Sequence, residues 1–305
     1  RFGAVTIVLL CATQAPLPTR AADAVRVGKS VPQAFSFVPL DVGMKNGIFK
    51  KNGLDIEASA FAGDAKMQQA MAADSIDIGI GSGPGMAFIV KGAPIKGIAA
   101  MAGRPLLLTL AVRTDGSVKN VADLKGKKVG VSTVGSLTYW VTDELSRQQG
   151  WGVGGIQIVP VGTFKSMLAA LKTKQIDGMV TDVATAYEME KNGEGKVVFR
   201  FGELVRDFHI HVIFGTNKAI ASRPDALRAF LKGWFETIAF MRKNKANTVE
   251  IAKEIMETDA TIAGLAGEVL DTAWETIGDD LGEKPADPIR IELLGAPADL
   301  AKLSP

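Results

Sequence analysis

Two runs of small residues stand where a predicted strand gives way to a predicted helix. The first is residues 81–85 (Gly-Ser-Gly-Pro-Gly), and the second lies at residues 133–136 (Thr-Val-Gly-Ser). A helix start carries unpaired N–H groups and a partial positive charge of about +0.5. Small residues let a ligand approach that backbone closely. We therefore expect both helix starts to contact one ligand, through five residues: Ser82, Gly83, Thr133, Gly135 and Ser136.

A structural explanation of the same residues stays open. Ser136 could serve only as a helix N-cap, and the glycines could serve only to form turns. No acidic residue follows Ser136 before Asp143, so a ligand could occupy the place of a carboxylate in the first turn. Nucleotide-binding motifs do not account for the glycines, because Met86 replaces the last glycine of G-x-G-x-x-G. The sequence carries no cofactor motif, and we expect no cofactor.

Charged and titratable residues near strand ends are further candidates. Asp182 ends a predicted strand and could either cap the next helix or face the ligand, in which case it would disfavour a dianion. His209 and His211 share a face by the period of two, yet no third ligand lies nearby, so we expect no metal site. We expect His211 to be the histidine that reaches the ligand. Arg104 could pair with an anion or be solvated.

Composition excludes several classes of protein. The 305 residues are 47% hydrophobic and 22% charged, as in ordinary globular proteins. The net charge of +2 argues against a nucleic-acid partner, which would require a basic face. The single cysteine, Cys11, excludes a disulfide scaffold and a thiolate metal site. The chain is therefore expected to be a monomeric globular protein with a small-molecule partner.

The first 24 residues resemble part of a secretory signal. An apolar run covers residues 2–12, and Ala22-Asp23-Ala24 fits an A-x-A cleavage site. The run is too short to span a bilayer. We expect export to the periplasm and a chain that begins near Val25.

Short apolar runs alternate with helical patterns, which predicts an α/β fold with largely parallel sheets. The predicted strands are residues 25–30, 54–61, 76–81, 95–100, 107–113, 128–132, 156–161, 178–181, 197–201 and 210–215. After Thr216 the pattern is helical, with Ser222 as an expected cap and Asn247 with Glu250 as an expected capping box. Apolar residues from Ile262 to Ile277 predict a last long helix.

A weak internal repeat predicts two similar lobes. Residues 53–82 align with residues 155–182, and in both a Lys and a Met begin the helix and Ile-Asp opens the next strand. Any two βαβ units share such a pattern in part. The repeat predicts a first lobe of residues 25–112 and 218–305 and a second lobe of residues 113–217. Strands 107–113 and 210–216 are expected to lie side by side as the hinge.

Three stretches resemble the periplasmic substrate-binding proteins of ABC importers of the nitrate/sulfonate/taurine type. They are residues 41–57 (DVGMKNGIFKKNGLDIE), residues 67–100 and residues 121–151, and residues 167–182 follow in the family's order. The resemblance implies a type II periplasmic binding protein fold, with two α/β lobes joined by two hinge crossings. It also implies ligand contacts from Gln33 and Phe35, in addition to Ser82-Gly83, Gly135-Ser136 and Asp182. Val183 replaces the Pro that follows the acidic residue in many relatives.

The resemblance implies a binding protein and not an enzyme. Its ligand would be a small anionic or zwitterionic molecule such as a sulfonate, taurine or nitrate, and its protein partner the membrane permease of an ABC importer. The alternative is an enzyme or a pyrimidine-precursor-binding protein on the same scaffold. No Ser-His-Asp or paired-carboxylate arrangement in the sequence supports the enzyme.

Overall fold

The computed structural model describes residues 22–103, 105–205 and 208–264. These residues form ten strands in two five-stranded sheets. The strands are β1 (Asp23–Lys29), β2 (Leu54–Ala60), β3 (Ile78–Ser82), β4 (Ile95–Ala102), β5 (Leu108–Arg113), β6 (Lys128–Val131), β7 (Gln157–Pro160), β8 (Gly178–Asp182), β9 (Gly195–Arg200) and β10 (His211–Thr216). Each of the ten predicted strands overlaps one of them, with ends that differ by one or two residues in nearly every case.

Helices connect the strands and cover the sheets. They are α1 (Val38–Lys45), α2 (Ile48–Lys51), α3 (Asp64–Ala72), α4 (Met86–Val90), α5 (Leu137–Gln148), α6 (Phe164–Lys172), α7 (Val183–Lys191), α8 (Asn217–Ser222), α9 (Pro224–Lys243) and α10 (Lys245–Met256). A 3₁₀ helix, Gly83–Gly85, precedes α4. Within the described residues, no helix is long and apolar enough to cross a membrane.

The two sheets have the same strand arrangement and define two lobes. The first sheet has the order β2-β1-β3-β10-β4 and the second β7-β6-β8-β5-β9. In each, three parallel strands are followed by one antiparallel strand, which is β10 in the first sheet and β5 in the second. The helices after β10 pack on α1, α2 and β2 of the first lobe. The fold is the expected one, two α/β lobes with two crossings.

The predicted side-by-side hinge strands are wrong. β5 pairs with β8 and β9 inside the second sheet, and β10 pairs with β3 and β4 inside the first. The chain therefore changes lobe between β4 and β5 and again between β9 and β10, several residues before the expected boundaries at 113 and 217. Each of these apolar runs satisfies its backbone within one sheet, so neither is left to pair with the other across the hinge.

The internal repeat corresponds to equivalent positions in the two lobes. Asp77 accepts the backbone N–H of Arg26 at 2.9 Å, and Asp177 accepts that of Lys128 at 2.9 Å. The Asp of the repeated Ile-Asp therefore ties the start of the third parallel strand, β3 or β8, to the adjacent parallel strand, β1 or β6, in each sheet. Met67 and Met167 are fully buried under these sheets.

Two of the expected helix caps differ from the structure. Ser222 ends α8, where its hydroxyl donates to the Lys218 carbonyl, and α9 begins at Pro224 without a side-chain cap. Asn247 accepts a hydrogen bond from Asn46 of the first lobe and so does not cap α10. The expected stripe beyond residue 264 and residues 1–21 lie outside the described residues, and β1 already begins at Asp23, before the expected cleavage point.

We expect Asp77→Ala to destabilise the protein more than Asp177→Ala. Asp77 also binds the Arg26 guanidinium, at 2.7 and 3.1 Å, so its loss should lower the free energy of unfolding by about 3 kcal/mol, against about 1 kcal/mol for Asp177. Urea unfolding of both variants measures the difference.

The pH dependence of that loss provides a second check. Burial alone would raise the pKa of Asp77, but the hydrogen bonds and charge of Arg26 outweigh it and hold the pKa below the ordinary 3.8. Stability from a lowered carboxyl pKa is present above the ordinary value and is lost as pH falls through the folded-state value. The Asp77→Ala deficit should therefore shrink at strongly acidic pH. A deficit that grows on acidification would contradict the assignment.

Candidate functional site

A cavity lies between the two lobes, at the carboxyl ends of the parallel strands. Its empty space is about 510 Å³, including the part that opens to solvent. It is lined by residues of both lobes: Ser30, Val31, Ala34, Phe35, Ser36, Phe37, Asp64, Ser82, Leu107, Leu108, Ser132, Ser136, Leu137, Thr138, Phe164, Asp182, Ile210 and His211. In open α/β sheets this edge is where ligands bind.

Five of the nine expected site residues line the cavity: Phe35, Ser82, Ser136, Asp182 and His211. The other four do not line it. Gly83 is packed against the carbonyl of His209, and Gly135 has a positive φ of 77° with open space where a side chain would be. The Thr133 side chain lies against Gly63 of the opposite lobe. Gln33 donates a hydrogen bond to Glu257 of the C-terminal segment.

The start of α5 is a hydroxyl-rich cap. Ser136 accepts the backbone N–H of Tyr139 at 3.3 Å, and its hydroxyl lies 3.0 Å from that of Thr138. Thr138 in turn lies 3.0 Å from the Ser132 hydroxyl. The first turn of α5 holds no acidic residue. Ser136 is thus an N-cap and also lines the cavity, so the structural and the ligand-binding explanations apply to the same residue.

Asp182 caps α7 and faces the cavity. One carboxylate oxygen accepts the backbone N–H of Thr185 at 2.9 Å, while Oδ2 is buried without a hydrogen-bond partner. Burial raises the pKa of Asp182 to about 6, and N–H groups of Thr185 and of Phe35 in the opposite lobe reduce the increase. Both sequence-based roles for Asp182, cap and cavity residue, are therefore compatible with its position.

Asp64 is a cavity residue that the sequence analysis missed. It is the first residue of α3 and is only 3% exposed. Its Oδ1 accepts the backbone N–H of Ser82 at 3.1 Å, and its Oδ2 is buried without a partner. Burial raises the pKa of Asp64 to about 7, and the backbone N–H of Ser82 limits the increase. The repeat aligns this helix start with that of α6, where Phe164 also lines the cavity.

The histidine between the lobes is neutral. Burial lowers the pKa of His211 to about 3. Its Nε2 lies 3.3 Å from the Ser36 hydroxyl, its Nδ1 has no partner, and its ring packs edge-on against Phe37 at 5.0 Å. His209 lies before β10, so the expected shared strand face is wrong. Among the described residues, no group of three His, Cys, Asp or Glu could hold a metal ion.

Cavity electrostatics depend on two buried carboxyl groups. No Lys or Arg is among the described residues that line the cavity, and the nearby Lys29 pairs with Asp41 at 2.9 Å. Arg104 lies outside the described residues. A small molecule in the cavity would therefore meet two carboxyls, a neutral imidazole and several hydroxyls. Buried polar atoms of this kind are stabilised by a partner that supplies the missing hydrogen bonds.

Contacts across the cleft fall into two groups. On the Asp182 side, the Phe35 backbone N–H of the first lobe lies near the Asp182 carboxyl of the second. On the Asp64 side, which comprises Asp64, Ser82 and the start of α5, the Gly83–Gly85 helix approaches α5, and Gly63 touches Thr133. The cavity is thus bounded on each side by one carboxyl group.

The segment after α10 touches both lobes. Glu257 accepts a hydrogen bond from Gln33 of the first lobe at 3.0 Å and pairs with Lys165 of the second. Asp259 pairs with Lys191 of α7. Ile262 belongs to an apolar cluster that includes residues of both lobes. In this structure Gln33 therefore holds the C-terminal segment and does not line the cavity.

A family model described as NMT1/THI5 like matches residues 34–247. A putative thiamine biosynthesis protein of Haemophilus influenzae is 28% identical over 140 residues, which are 46% of this chain and 43% of that protein. The chain thus spans less than half of that relative. A putative binding protein of Brucella abortus is 23% identical over 227 residues, which are 72% of this chain and 67% of that protein.

Solved structures with the same fold include two periplasmic-type binding proteins. The alkanesulfonate-binding protein SsuA from Xanthomonas axonopodis pv. citri, bound to MOPS, has a TM-score of 0.71 at 13% identity and covers 87% of this chain and 96% of its own. The periplasmic nitrate-binding protein NrtA from Synechocystis has a TM-score of 0.66 at 16% identity, with coverages of 79% and 69%. At these identities the similarity shows the fold.

We expect Asp64→Asn to change how stability depends on pH. A raised carboxyl pKa contributes stability that is present below the ordinary value of 3.8 and is lost as pH rises to about 7. The variant lacks this titration, so its free energy of unfolding relative to the parent should rise by about 1.4 kcal/mol per pH unit in that window. Urea unfolding at several pH values tests this. Parallel curves for the two proteins would contradict the raised pKa.

Proposed function

Since the chain belongs to the family described as NMT1/THI5 like, we propose that it is the periplasmic solute-binding component of an ABC importer. It captures a small molecule between its two lobes and delivers it to a membrane permease. The lobes open and close through the two crossings, as in hinge-bending binding proteins generally. The fold similarity to sulfonate- and nitrate-binding proteins supports this function.

The observation that carries the proposal is the interlobe cavity with buried, unpartnered polar atoms on both walls. Ser82 Oγ and Asp64 Oδ2 belong to the first lobe, and Asp182 Oδ2 belongs to the second. Such atoms are costly in a folded protein unless another molecule satisfies them. A ligand that bridges the walls supplies partners to both lobes and so favours the closed form.

A zwitterionic ligand fits this lining better than a simple anion. The Asp182 carboxyl suits an ammonium group, whereas the N–H groups at the start of α5 suit an anionic group. Nitrate or a plain sulfonate would face buried carboxyls without a described cation to offset them. Within the anionic and zwitterionic class expected from the sequence, we therefore favour an amine-bearing molecule such as taurine.

A pyrimidine-precursor-binding protein, or an enzyme on this scaffold, is the second candidate. The Haemophilus influenzae relative is named as a putative thiamine biosynthesis protein, which favours a nitrogen-containing ring. An amino-substituted ring could donate to Asp182 and stack among Phe35, Phe37 and Phe164, which all line the cavity. The described residues that line the cavity offer hydroxyls and a neutral histidine but no thiol. These groups are sufficient to bind a ligand.

A thermal-shift screen tests the proposed function. The compounds are nitrate, ethanesulfonate, taurine, benzoate and 4-aminopyrimidine, each added to the exported form of the chain. A molecule that binds only the folded state raises the unfolding midpoint in proportion to the logarithm of its concentration above Kd. We expect taurine to exceed ethanesulfonate and nitrate. A larger shift with 4-aminopyrimidine would favour the second candidate, and no shift with any compound would overturn the proposal.

Asp182→Asn should separate ligand classes. Loss of the carboxylate should weaken an ammonium-bearing ligand by about 1.5–3 kcal/mol, as for a hydrogen bond to a charged group. A simple anion should bind equally or more tightly, because the repelling charge is gone. Calorimetry with taurine and ethanesulfonate measures both affinities. Equal weakening of the two compounds would show that Asp182 acts only as the cap of α7.

Ser136→Ala is the matched, milder change in the same lobe, at the start of α5. It removes a hydroxyl but leaves the backbone amides at the start of α5, so ligand affinity should fall by only about 0.5–2 kcal/mol. Calorimetry under the same conditions provides the comparison. A complete loss of binding in a folded variant would mean that the hydroxyl, and not the helix start, holds the ligand.

A further inference from the structure

We propose that Asp64 contacts the bound ligand as a carboxylic acid and donates a hydrogen bond to the ligand's anionic group at the start of α5. Asp64 would then determine specificity, because it admits an anion only together with a proton. The inference rests on the proposed function and adds a residue and a proton to it.

The geometry places the Asp64 carboxyl on the anion-binding side of the cavity. Its Oδ1 is held by the backbone N–H of Ser82, so the carboxyl is oriented before a ligand arrives. Its Oδ2 is buried and has no partner, and the neighbouring Ser82 hydroxyl is also unpartnered. The Gly83–Gly85 helix, which follows Ser82, approaches α5 across the cleft.

Glycines allow this close approach. A Cβ at Gly81 would lie 2.5 Å from Asp64 Oδ1, and a Cβ at Gly85 would lie 2.8 Å from Oδ2. The loop after β3 therefore lies directly on the carboxyl group. This accounts for two of the glycines that the sequence analysis attributed to ligand approach, since they make room for Asp64.

An ionised Asp64 and an anionic ligand group compete for the same donors. The N–H groups and hydroxyls on this side can stabilise one negative charge, and two adjacent anions in a buried site would repel each other. A proton on Asp64 removes the conflict and converts Oδ2 into a donor. The proton comes from solvent, and no covalent bond of the ligand changes.

Among the groups that face the Asp64 carboxyl, Asp64 itself is the one whose pKa lies near neutral pH. Gln68 on its own helix is buried and does not titrate, and His211 on β10 stays neutral because burial keeps its pKa low. Asp182, the last residue of β8, has a pKa of about 6, below that of Asp64, and the first turn of α5 holds no acidic residue. Lys29 at the end of β1 is neutralised by Asp41 of α1. The pKa of Asp64, raised to about 7 by burial, allows protonation on ligand binding.

The test is taurine affinity between pH 7 and 8.5, where Asp182, with a pKa of about 6, is predominantly ionised. The parent should lose affinity above pH 7, approaching tenfold per pH unit, because one proton must be taken up. Asp64→Asn carries an NH₂ donor in place of the protonated Oδ2, so its affinity should be nearly constant and about thirtyfold above the parent's at pH 8.5. Asp55→Asn, at an exposed position of β2, should retain the parent's pH dependence.

Calorimetry in two buffers with different ionisation enthalpies counts the protons. The parent should take up close to one proton per taurine at pH 8, and Asp64→Asn should take up none. Taurine binding with the same pH dependence in parent and variant would overturn this inference and leave the proposed function standing. Binding of 4-aminopyrimidine alone would overturn this inference and favour the second candidate function. If no compound in the screen binds, both fall.

Discussion

The two-lobed structure depends on one strand in each sheet that is antiparallel to both of its neighbours. The chain enters this strand directly after it crosses from the other lobe. β10 inserts between β3 and β4, and β5 inserts between β8 and β9. The register places the first residue of each inserted strand opposite the last residue of the central strand, so His211 lies beside Ser82 and Leu108 beside Asp182. All four residues line the cavity. Strand pairing therefore fixes the hinge and the cavity walls together.

Much of this fold can be predicted from the sequence because local patterns determine it. Short apolar runs that alternate with helical patterns located all ten strands, and the repeated Ile-Asp marked equivalent positions in the two lobes. Sheet membership of β5 and β10 could not be predicted, since an apolar run of six residues pairs equally well in either sheet. The predicted caps at Ser222 and Asn247 were wrong. Pro224 starts α9 without a side-chain cap, and the Asn247 side chain binds Asn46.

The candidate site was predicted in part. Small residues at helix starts indicated Ser82 and Ser136, which line the cavity. The same reasoning looked for helix starts without carboxylates and so passed over Asp64, whose helix begins with one. Burial is what distinguishes this carboxyl from the common acidic residue of a first helical turn, and burial across a cleft depends on how two lobes meet. That information is not contained in a local sequence pattern.

The two halves of the chain, each of which contains one copy of the repeat, exchange their fifth strands. Cut between Arg113 and Lys128, each half holds five strands, of which four build its own sheet and one completes the sheet of the other half. This is the connectivity of a strand-swapped dimer whose two copies are joined in a single polypeptide. The cavity lies where the two copies of such a dimer would meet. Equivalent positions of the two lobes therefore face each other across it with different side chains, Ser82 with Asp182 at the strand ends and Asp64 with Phe164 at the helix starts, so the topology is symmetric while the chemistry of the two walls is not.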